Sequence, residues 1–262
     1  MKILVTGGTG YIGSHTVVEL QEQGFEVIIA DNLSNSKKEV VDNIESITGI
    51  RPQFEQIDLS NTEKTNDFFN RNKDIDGVIH FAAYKAVGES VEKPLMYYQN
   101  NLISLMNVLE NMKKHHIKYF VFSSSCTVYG QPEKLPVSEQ SPIQEAWSPY
   151  GNTKRIAEEI INDTIKANPT LKAIALRYFN PIGAHHSAKI GELPLGVPNN
   201  LVPFITQTAI GIRKKLKVFG NDYNTPDGTC IRDYIHVVDL AKAHVVAIRR
   251  MIQDKGKNPY EV

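Results

Sequence analysis

Two side chains that could move a proton stand four residues apart in the segment SPYGNTK, residues 148–154. A tyrosine phenol can give or take a proton, and a nearby lysine ammonium changes how readily it does so. The four-residue spacing places Tyr150 and Lys154 on one face of a helix. Ser148 and Pro149 are typical of a helix start, with serine as the cap and proline at the first helical position. An exposed surface helix would show the same pattern, so the rest of the chain has to decide the role of the pair.

A glycine-rich loop near the amino terminus predicts a dinucleotide site. VTGGTGYIGSH follows the first predicted strand and opens the first predicted helix, with Gly7, Gly10 and Gly13 at three-residue intervals. Glycines allow the tight turn, the approach of the backbone to a pyrophosphate, and close packing of helix on strand. The helix N-terminus offers N–H groups and the positive end of its dipole to an anion.

The residue at the end of the second predicted strand bears on which dinucleotide binds. Asp31 lies 18 residues after Gly13. An acid at this place can accept both hydroxyls of the adenosine ribose, and its charge would repel a 2′-phosphate. NAD is therefore favoured over NADP, although Lys37 and Lys38 could neutralise a phosphate.

Strands and helices alternate over the first 180 residues. Strands are predicted at KILVT, EVIIA, QFEQI, GVIHF, YFVFS and AIALRY, with helices near 11–23, 37–48, 61–72, 91–114 and 149–167. This alternation indicates a parallel sheet covered on both faces, a doubly wound α/β fold of the Rossmann type. From about residue 181 loops prevail until a helix near 237–253. We predict a NAD-binding Rossmann domain with the catalytic residues at 1–180, and a smaller substrate-binding part at 181–262.

Composition excludes several classes of protein. The 262 residues carry 29 basic and 29 acidic side chains, so the positive charge typical of nucleic-acid binding or of a polybasic membrane contact is missing. No stretch approaches the ~20 apolar residues of a membrane span. Cys126 and Cys230 are widely separated, which fits a reduced, cytoplasmic compartment. The histidines lack the i, i+4 spacing with a third ligand, so we predict no metal site.

Together these segments resemble the extended short-chain dehydrogenase/reductase family, and most closely its members that epimerise UDP-hexoses. The likeness covers essentially the whole chain and is carried, in order, by TGGTGYIGSH, DNLSNS, HFAAYKAVGES, SSSCTVYG, SPYGNTK, LRYFNPIGAH, VPNN, FGNDY and DGTCIRDYIHV. The resemblance implies an isomerase of galactose metabolism that interconverts UDP-galactose and UDP-glucose with NAD, through a transient 4-keto sugar. It also implies a homodimer that forms through the helices near 91–114 and 149–167.

The resemblance assigns three catalytic residues. Tyr150 would act as base and acid on the 4-hydroxyl of the sugar, and Lys154 would lower the pKa of Tyr150 and hydrogen-bond the nicotinamide ribose. Ser125 would donate to the sugar oxygen or relay its proton. It follows the apolar run YFVF, at the carboxyl end of a parallel strand, where open α/β sheets bind ligands. Ser123 and Ser124 are the neighbouring alternatives.

The expected effect of Lys154 on Tyr150 is large. A free tyrosine has a pKa of ~10, so a base working near pH 7 needs a pKa lower by about three units, or ~4 kcal/mol. One unit charge ~4 Å away, at an effective dielectric constant of ~20, supplies a similar free energy. We therefore expect Lys154 to be nearly sufficient, with the positive nicotinamide ring adding to its effect.

The resemblance also carries over two sets of binding residues. The NAD set comprises Gly7, Gly10, Tyr11, Ile12, Gly13, Asp31, Asn32, Leu33, Ser34, Asn35, Ser36, Asp58, Leu59, Phe81, Ala82, Ala83, Lys85, Asn100, Tyr150, Lys154 and Phe179. The nucleotide-sugar set comprises Ser125, Asn180, Asn200, Leu201, Val218, Phe219 and Arg232. The planar fork of Arg232 can bind a diphosphate bidentately. Phe219 could pack on a uracil ring or belong to the core.

Two alternatives stay open. A nucleotide-sugar 4,6-dehydratase or decarboxylase of the same fold would need another acid or base beside the strand-end serine, where this chain has Cys126 and Thr127. An inactive NAD-binding protein is the other alternative, because family members continue beyond the end of this chain. We expect the segment that completes the clamp on the sugar nucleotide to be missing, together with the position that decides whether N-acetylated sugars enter.

Overall fold

The predicted alternation of strands and helices is present in the structure. In the computed structural model, which describes residues 1–262, the elements in chain order are β1 (Lys2–Thr6), α1 (Tyr11–Glu22), β2 (Glu26–Asp31), α2 (Glu39–Thr48), β3 (Gln53–Gln56), α3 (Thr62–Arg71), β4 (Ile75–His80), α4 (Val87–Glu92), α5 (Pro94–Lys114), β5 (Tyr119–Ser123), α6 (Pro149–Ala167), β6 (Lys172–Leu176), β7 (Asn180–Ile182), α7 (Leu201–Ala209), β8 (Tyr234–His236), α8 (Val237–Ile252) and β9 (Tyr260–Glu261). A short 3₁₀ helix covers Cys126–Tyr129 between β5 and α6.

The main sheet has seven parallel strands in the order β3-β2-β1-β4-β5-β6-β9. The strand order reverses between β1 and β4, which opens a crevice at the carboxyl ends of the strands. A second, parallel pair is formed by β7 and β8. Three segments lie at the same edge of the main sheet, because they follow parallel strands: the glycine loop after β1, the turn after β4, and the serine segment (Ser123–Ser125) at the end of β5.

Both faces of the main sheet are buried, because successive side chains of a strand point to opposite faces. On one face, Leu4 and Phe120 belong to a core with α3, α5 and α6. On the other, Ile3, Val5 and Val121 pack with α1, α2 and α8. The predicted doubly wound α/β class is confirmed.

One predicted helix is divided in two. The single helix expected near 91–114 consists of α4 and α5, separated at Lys93. Proline disfavours helical backbone in the residue before it, and it suits the first position of a new helix. Lys93 accordingly has φ −130° and ψ 57°, and Pro94 begins α5.

The region from residue 180 onwards contains elements that the sequence pattern did not predict. The helix α7 and the strands β7, β8 and β9 lie there, and the helix expected near 237–253 is α8. The last helix packs on α1 and the last strand pairs with β6, so both belong to the main sheet's layers. The division at residue 180 remains a prediction. None of the helices is long and apolar enough to cross a membrane.

Candidate active site

The glycine loop forms a cradle that side chains would fill. Gly7 has φ +68°, and a Cβ there would stand 2.9 Å from the backbone nitrogen of Ala82. A Cβ on Gly13 would stand 2.3 Å from the carbonyl oxygen of Gly7. Gly10 precedes α1 and no side chain caps the helix, so its first N–H groups have no side-chain acceptor and can meet an anion. This cradle fits a pyrophosphate.

Asp31 lies beside this cradle at the end of β2. Its carboxylate accepts hydrogen bonds from the backbone N–H of Thr9, at 3.1 Å, and of Leu33, at 2.9 Å. The hydroxyls of Ser36 and Thr9 are 2.6 Å apart. These bonds tie the glycine loop to residues 32–36, in which Leu33 adopts φ +60°. The carboxylate is thus held where the sequence predicted the ribose of NAD.

Lys38 does not contact Asp31. Its ammonium lies 5.9 Å from the centre of the Phe54 ring, on β3. The structure therefore supplies a fixed acid, and no cation paired with it, at the place predicted for the adenosine ribose.

Several further predicted cofactor residues follow β3 and β4. The hydroxyl of Ser60 donates to Asp58 at 2.7 Å, and Leu59 is buried in the core. The ring of Phe81 packs on His244, with 4.7 Å between ring centres. Ala83 lines a small cavity that also reaches Lys154.

Three further residues of the predicted NAD set are Lys85, Asn100 and Phe179. The ammonium of Lys85 is 3.4 Å from the carboxylate of Glu192. The amide of Asn100 donates to Asn101 at 2.9 Å. Phe179, after β6, is exposed.

The predicted start of α6 is confirmed and determines the orientation of the catalytic pair. Pro149 is the first residue of the helix, and the hydroxyl of Ser148 accepts the backbone N–H of Gly151 at 3.1 Å. The ammonium of Lys154 donates to the carbonyl oxygen of Ser123 at 2.5 Å. It lies 6.0 Å from the centre of the Tyr150 ring.

The three serines at the carboxyl end of β5, Ser123, Ser124 and Ser125, have different partners. The hydroxyl of Ser123 bonds the phenol of Tyr178, and the hydroxyl of Ser124 donates to Glu158. Ser125 caps the 3₁₀ helix by accepting the N–H of Thr127 at 3.2 Å, and its hydroxyl acts on the phenol of Tyr150. Of the three hydroxyls, only that of Ser125 affects the pKa of the Tyr150 phenol, which it lowers in part against the effect of burial.

The expected lowering of the tyrosine pKa by Lys154 is wrong for the chain by itself. Burial raises the pKa of Tyr150 to about 12, and the Ser125 hydroxyl beside it opposes that rise only in part. Lys154 bonds a backbone carbonyl instead of the phenol, and burial lowers its pKa to about 8. The chain's own residues therefore keep Tyr150 protonated at neutral pH.

The predicted substrate residues come from the region after β6. Asn180 donates through its amide to the carbonyl oxygen of Asp233, at 3.0 Å, where β7 meets β8. The neighbouring Arg232 is close enough to the serine segment to affect Cys126, whose thiol pKa is raised by burial and lowered in part by that guanidinium. Arg232 is exposed, and its Nη1 donates to the carbonyl oxygen of Ile231 at 2.8 Å, which leaves its other donors available to an anion.

The other predicted substrate residues lie at the surface, around and after α7. Asn200 precedes α7, and its amide bonds Glu192. Leu201 and Val218 are exposed, and Phe219 is 80% exposed. This exposure excludes the core role for Phe219 and leaves its ring available to a ligand.

Several residues of the site were not found from the sequence. Glu158 occupies the same helix face as Tyr150 and Lys154, so the four-residue spacing could have revealed it. Tyr178 and Glu192 approach the site only through the fold, and no local pattern marks them.

The site combines a glycine cradle, an acid at the end of β2, and a Tyr-Lys pair near the serines at the end of β5. This combination is typical of dinucleotide-dependent enzymes with a Rossmann fold. The chain belongs to the NAD dependent epimerase/dehydratase family, whose sequence profile matches residues 3–262. It is 52% identical to the UDP-glucose 4-epimerase of Dictyostelium discoideum over 254 residues, which are 97% of this chain and 73% of that protein. It is 50% identical to the enzyme of the same name from Bacillus subtilis over 262 residues, 100% of this chain and 77% of that one.

Solved structures show the same architecture. The UDP-glucose 4-epimerase of Bifidobacterium longum in complex with NAD+ and UDP superposes with a TM-score of 0.93 at 48% identity, covering 95% of this chain and 74% of that chain. The enzyme from Stenotrophomonas maltophila, with bound NAD and formylated UDP-arabinopyranose, also gives 0.93, at 46% identity, covering 100% and 76%. The chain thus spans about three quarters of these relatives.

Proposed function

We propose that this chain catalyses the NAD-dependent 4-epimerisation of a UDP-hexose, interconverting UDP-galactose and UDP-glucose. The observation that carries the proposal is the meeting of Tyr150, Lys154 and Ser125 at the carboxyl edge of the sheet that also holds the glycine cradle. Relatives about half identical in sequence, which bear the name of this activity, support it.

Each catalytic side chain has a defined task in this proposal. The phenol of Tyr150 exchanges a proton with the 4-hydroxyl of the sugar, and the Ser125 hydroxyl holds the same oxygen. Lys154 fixes the carbonyl of Ser123 and carries the positive charge of the site. When bound, NAD+ supplies the hydride acceptor and donor, and a positive ring charge that favours ionisation of Tyr150. Because the hydride returns to the sugar, no net oxidation occurs.

The residues at the serine segment disfavour the dehydratase and decarboxylase alternatives. Burial raises the pKa of the Cys126 thiol, so that it stays protonated near neutral pH. The Thr127 hydroxyl is buried without a hydrogen-bond partner. Neither side chain supplies the additional carboxylate that those reactions would require.

The uridine diphosphate would meet the outer residues of the site. We infer that Arg232 pairs with the diphosphate and that Phe219 packs on the uracil ring. Asn180, Asn200, Leu201 and Val218 complete this surface. The exposure of Phe219 and the position of Arg232 near the serine segment support these roles.

The test is a coupled UDP-galactose to UDP-glucose assay on the 262-residue chain and its Tyr150→Phe variant. We expect turnover in the chain, and retained NAD with most turnover lost in the variant. Tyr119→Phe, at the opposite end of β5, is the matched control and should keep full activity. Bound NAD without turnover would identify a binding protein, and release of a 4-keto-6-deoxy sugar would identify a dehydratase.

Two further expectations from the resemblance belong to this proposal. We infer a homodimer formed through α5 and α6, which pack against each other in one chain. Light scattering coupled to size exclusion would give its mass. We also infer a cytoplasmic location, because Cys126 and Cys230 are both unpaired thiols.

A further inference from the structure

One acidic side chain behind the catalytic pair has no part in the proposed reaction. Glu158 follows Lys154 by four residues on α6 and continues the helix face of Tyr150 and Lys154. Its side chain is 4% exposed. A buried carboxylate is costly unless it is paired and hydrogen-bonded, so its partners define what it does.

The partners of Glu158 come from three other parts of the fold. Arg177, just after β6, holds both carboxylate oxygens, with Nε 3.0 Å from Oε1 and Nη2 2.6 Å from Oε2. The Ser124 hydroxyl donates to Oε1, and the phenol of Tyr260, in β9, donates to Oε2 at 3.2 Å. Arg177 also reaches the phenol of Tyr129, at 3.2 Å. The bidentate geometry leaves this carboxylate little freedom to move.

One of these contacts, the bond from Ser124, bears on the catalytic residues. Ser124 stands between Ser123, whose carbonyl accepts a hydrogen bond from the Lys154 ammonium, and Ser125, whose hydroxyl lowers the pKa of Tyr150 in part. The bond from Ser124 to Glu158 therefore sets the distance between the serine segment and α6. We propose that Glu158 is a positioning residue of the reaction, which holds the serine segment against α6 and supplies the negative charge that faces Lys154.

The charges around Lys154 support the second half of the proposal. Tyr150 and Glu158 lie on the same face of α6 as Lys154, and His80, on β4, lines a small cavity together with Lys154. Burial, with the Lys154 charge, lowers the pKa of His80 to about 3, so this ring is neutral near pH 7. From β5 come only the carbonyl of Ser123 and the ring of Phe122, 4.8 Å from the ammonium.

Glu158 is thus the acid that opposes the loss of the Lys154 proton. Burial lowers the pKa of Lys154 to about 8, and the charge of Glu158 raises it against that effect. Removing the charge should lower the lysine pKa further, by about one unit for an opposite charge one helical turn away. If activity requires the charged form of Lys154, the loss of activity on raising the pH should then begin at a lower pH.

The test compares Glu158→Gln with the matched control Glu159→Gln. Glu159 is the next residue, exposed and paired with Arg155 at 2.9 Å. We expect Glu158→Gln to move the alkaline limb of the kcat–pH profile about one unit towards acid, which is about a tenfold loss on that limb. The control should leave the profile unchanged.

Two measurements separate positioning from stability. This inference rests on the proposed function for its kinetic part, but an NMR titration of the Lys154 side-chain carbons, with Lys154→Met identifying the signal, does not. A lower lysine pKa in Glu158→Gln supports the charge role even if the chain lacks turnover. Glu158→Asp keeps the charge with a shorter reach, so we expect a lower kcat with the alkaline limb in place.

An unchanged lysine titration in Glu158→Gln would overturn the charge role, whatever happens to the melting temperature. Full kcat in Glu158→Asp would overturn the positioning role. If the Gln variant does not fold, the Asp variant still decides, because a shifted alkaline limb there, with the charge kept, would contradict the proposal.

Discussion

Gly13→Ala is the sharpest test of the cofactor cradle. The added Cβ would stand 2.3 Å from the carbonyl oxygen of Gly7 and 2.9 Å from the Cα of Gly8. Ordinary contacts of such atoms are roughly a full ångström longer than the first of these, since optimal separations between carbons are ~3.5–4 Å. Both neighbours are backbone atoms, so no side chain can rotate away. The loop or the start of α1 has to move.

The magnitude follows from this forced displacement. Overpacking of a tight site costs ~1–3 kcal/mol. The atoms that must move are those that face the pyrophosphate, so we expect most of the effect in NAD affinity. At ~1.4 kcal/mol for each factor of ten, the dissociation constant should rise about 5- to 150-fold.

The assay is the dissociation constant for NAD by calorimetry, together with the melting temperature. Gly88→Ala is the matched control, because Gly88 lies in α4 and a Cβ there meets nothing within 4 Å. That substitution should keep NAD affinity and raise stability by ~0.5–1 kcal/mol, as alanine does in a helix. Wild-type affinity in Gly13→Ala would refute the assignment of the loop.

Three further predictions concern other sites. Asp31→Asn should weaken NAD binding and narrow the preference over NADP, measured as the ratio of the two dissociation constants, because the repelling charge is removed. Ser125→Ala should lower kcat by about 10²-fold with NAD still bound, as expected for the loss of one group that acts on the reacting oxygen; an unchanged kcat would return the role to Ser123 or Ser124. Arg250 holds the pKa of Glu261 down to about 2, so the pair stabilises the fold above the ordinary pKa of about 4.5 and loses this effect as the pH falls towards 2. Glu261→Gln should therefore lower the melting temperature at pH 7 and leave it nearly unchanged near pH 2.

Local patterns were sufficient for the main frame of the fold. All six predicted strands exist, because the alternation of apolar runs reflects burial on both faces of a parallel sheet. Pro94 also indicates the break between α4 and α5, although the predicted helix near 91–114 ignored it. The short strands β7, β8 and β9 were not predicted, since two or three residues form a strand only when a distant partner such as β6 is in place.

The site shows the same division. Residue type and spacing alone determined the glycine cradle, the acid at Asp31 and the shared helix face of Tyr150 and Lys154, because backbone geometry sets these relations within a few residues. The tertiary structure decided which serine meets Tyr150, why the pKa of that phenol is raised in the chain itself, and that Glu158 stands behind Lys154. These properties depend on burial and on partners from distant strands, and desolvation is decided by everything that packs around a group.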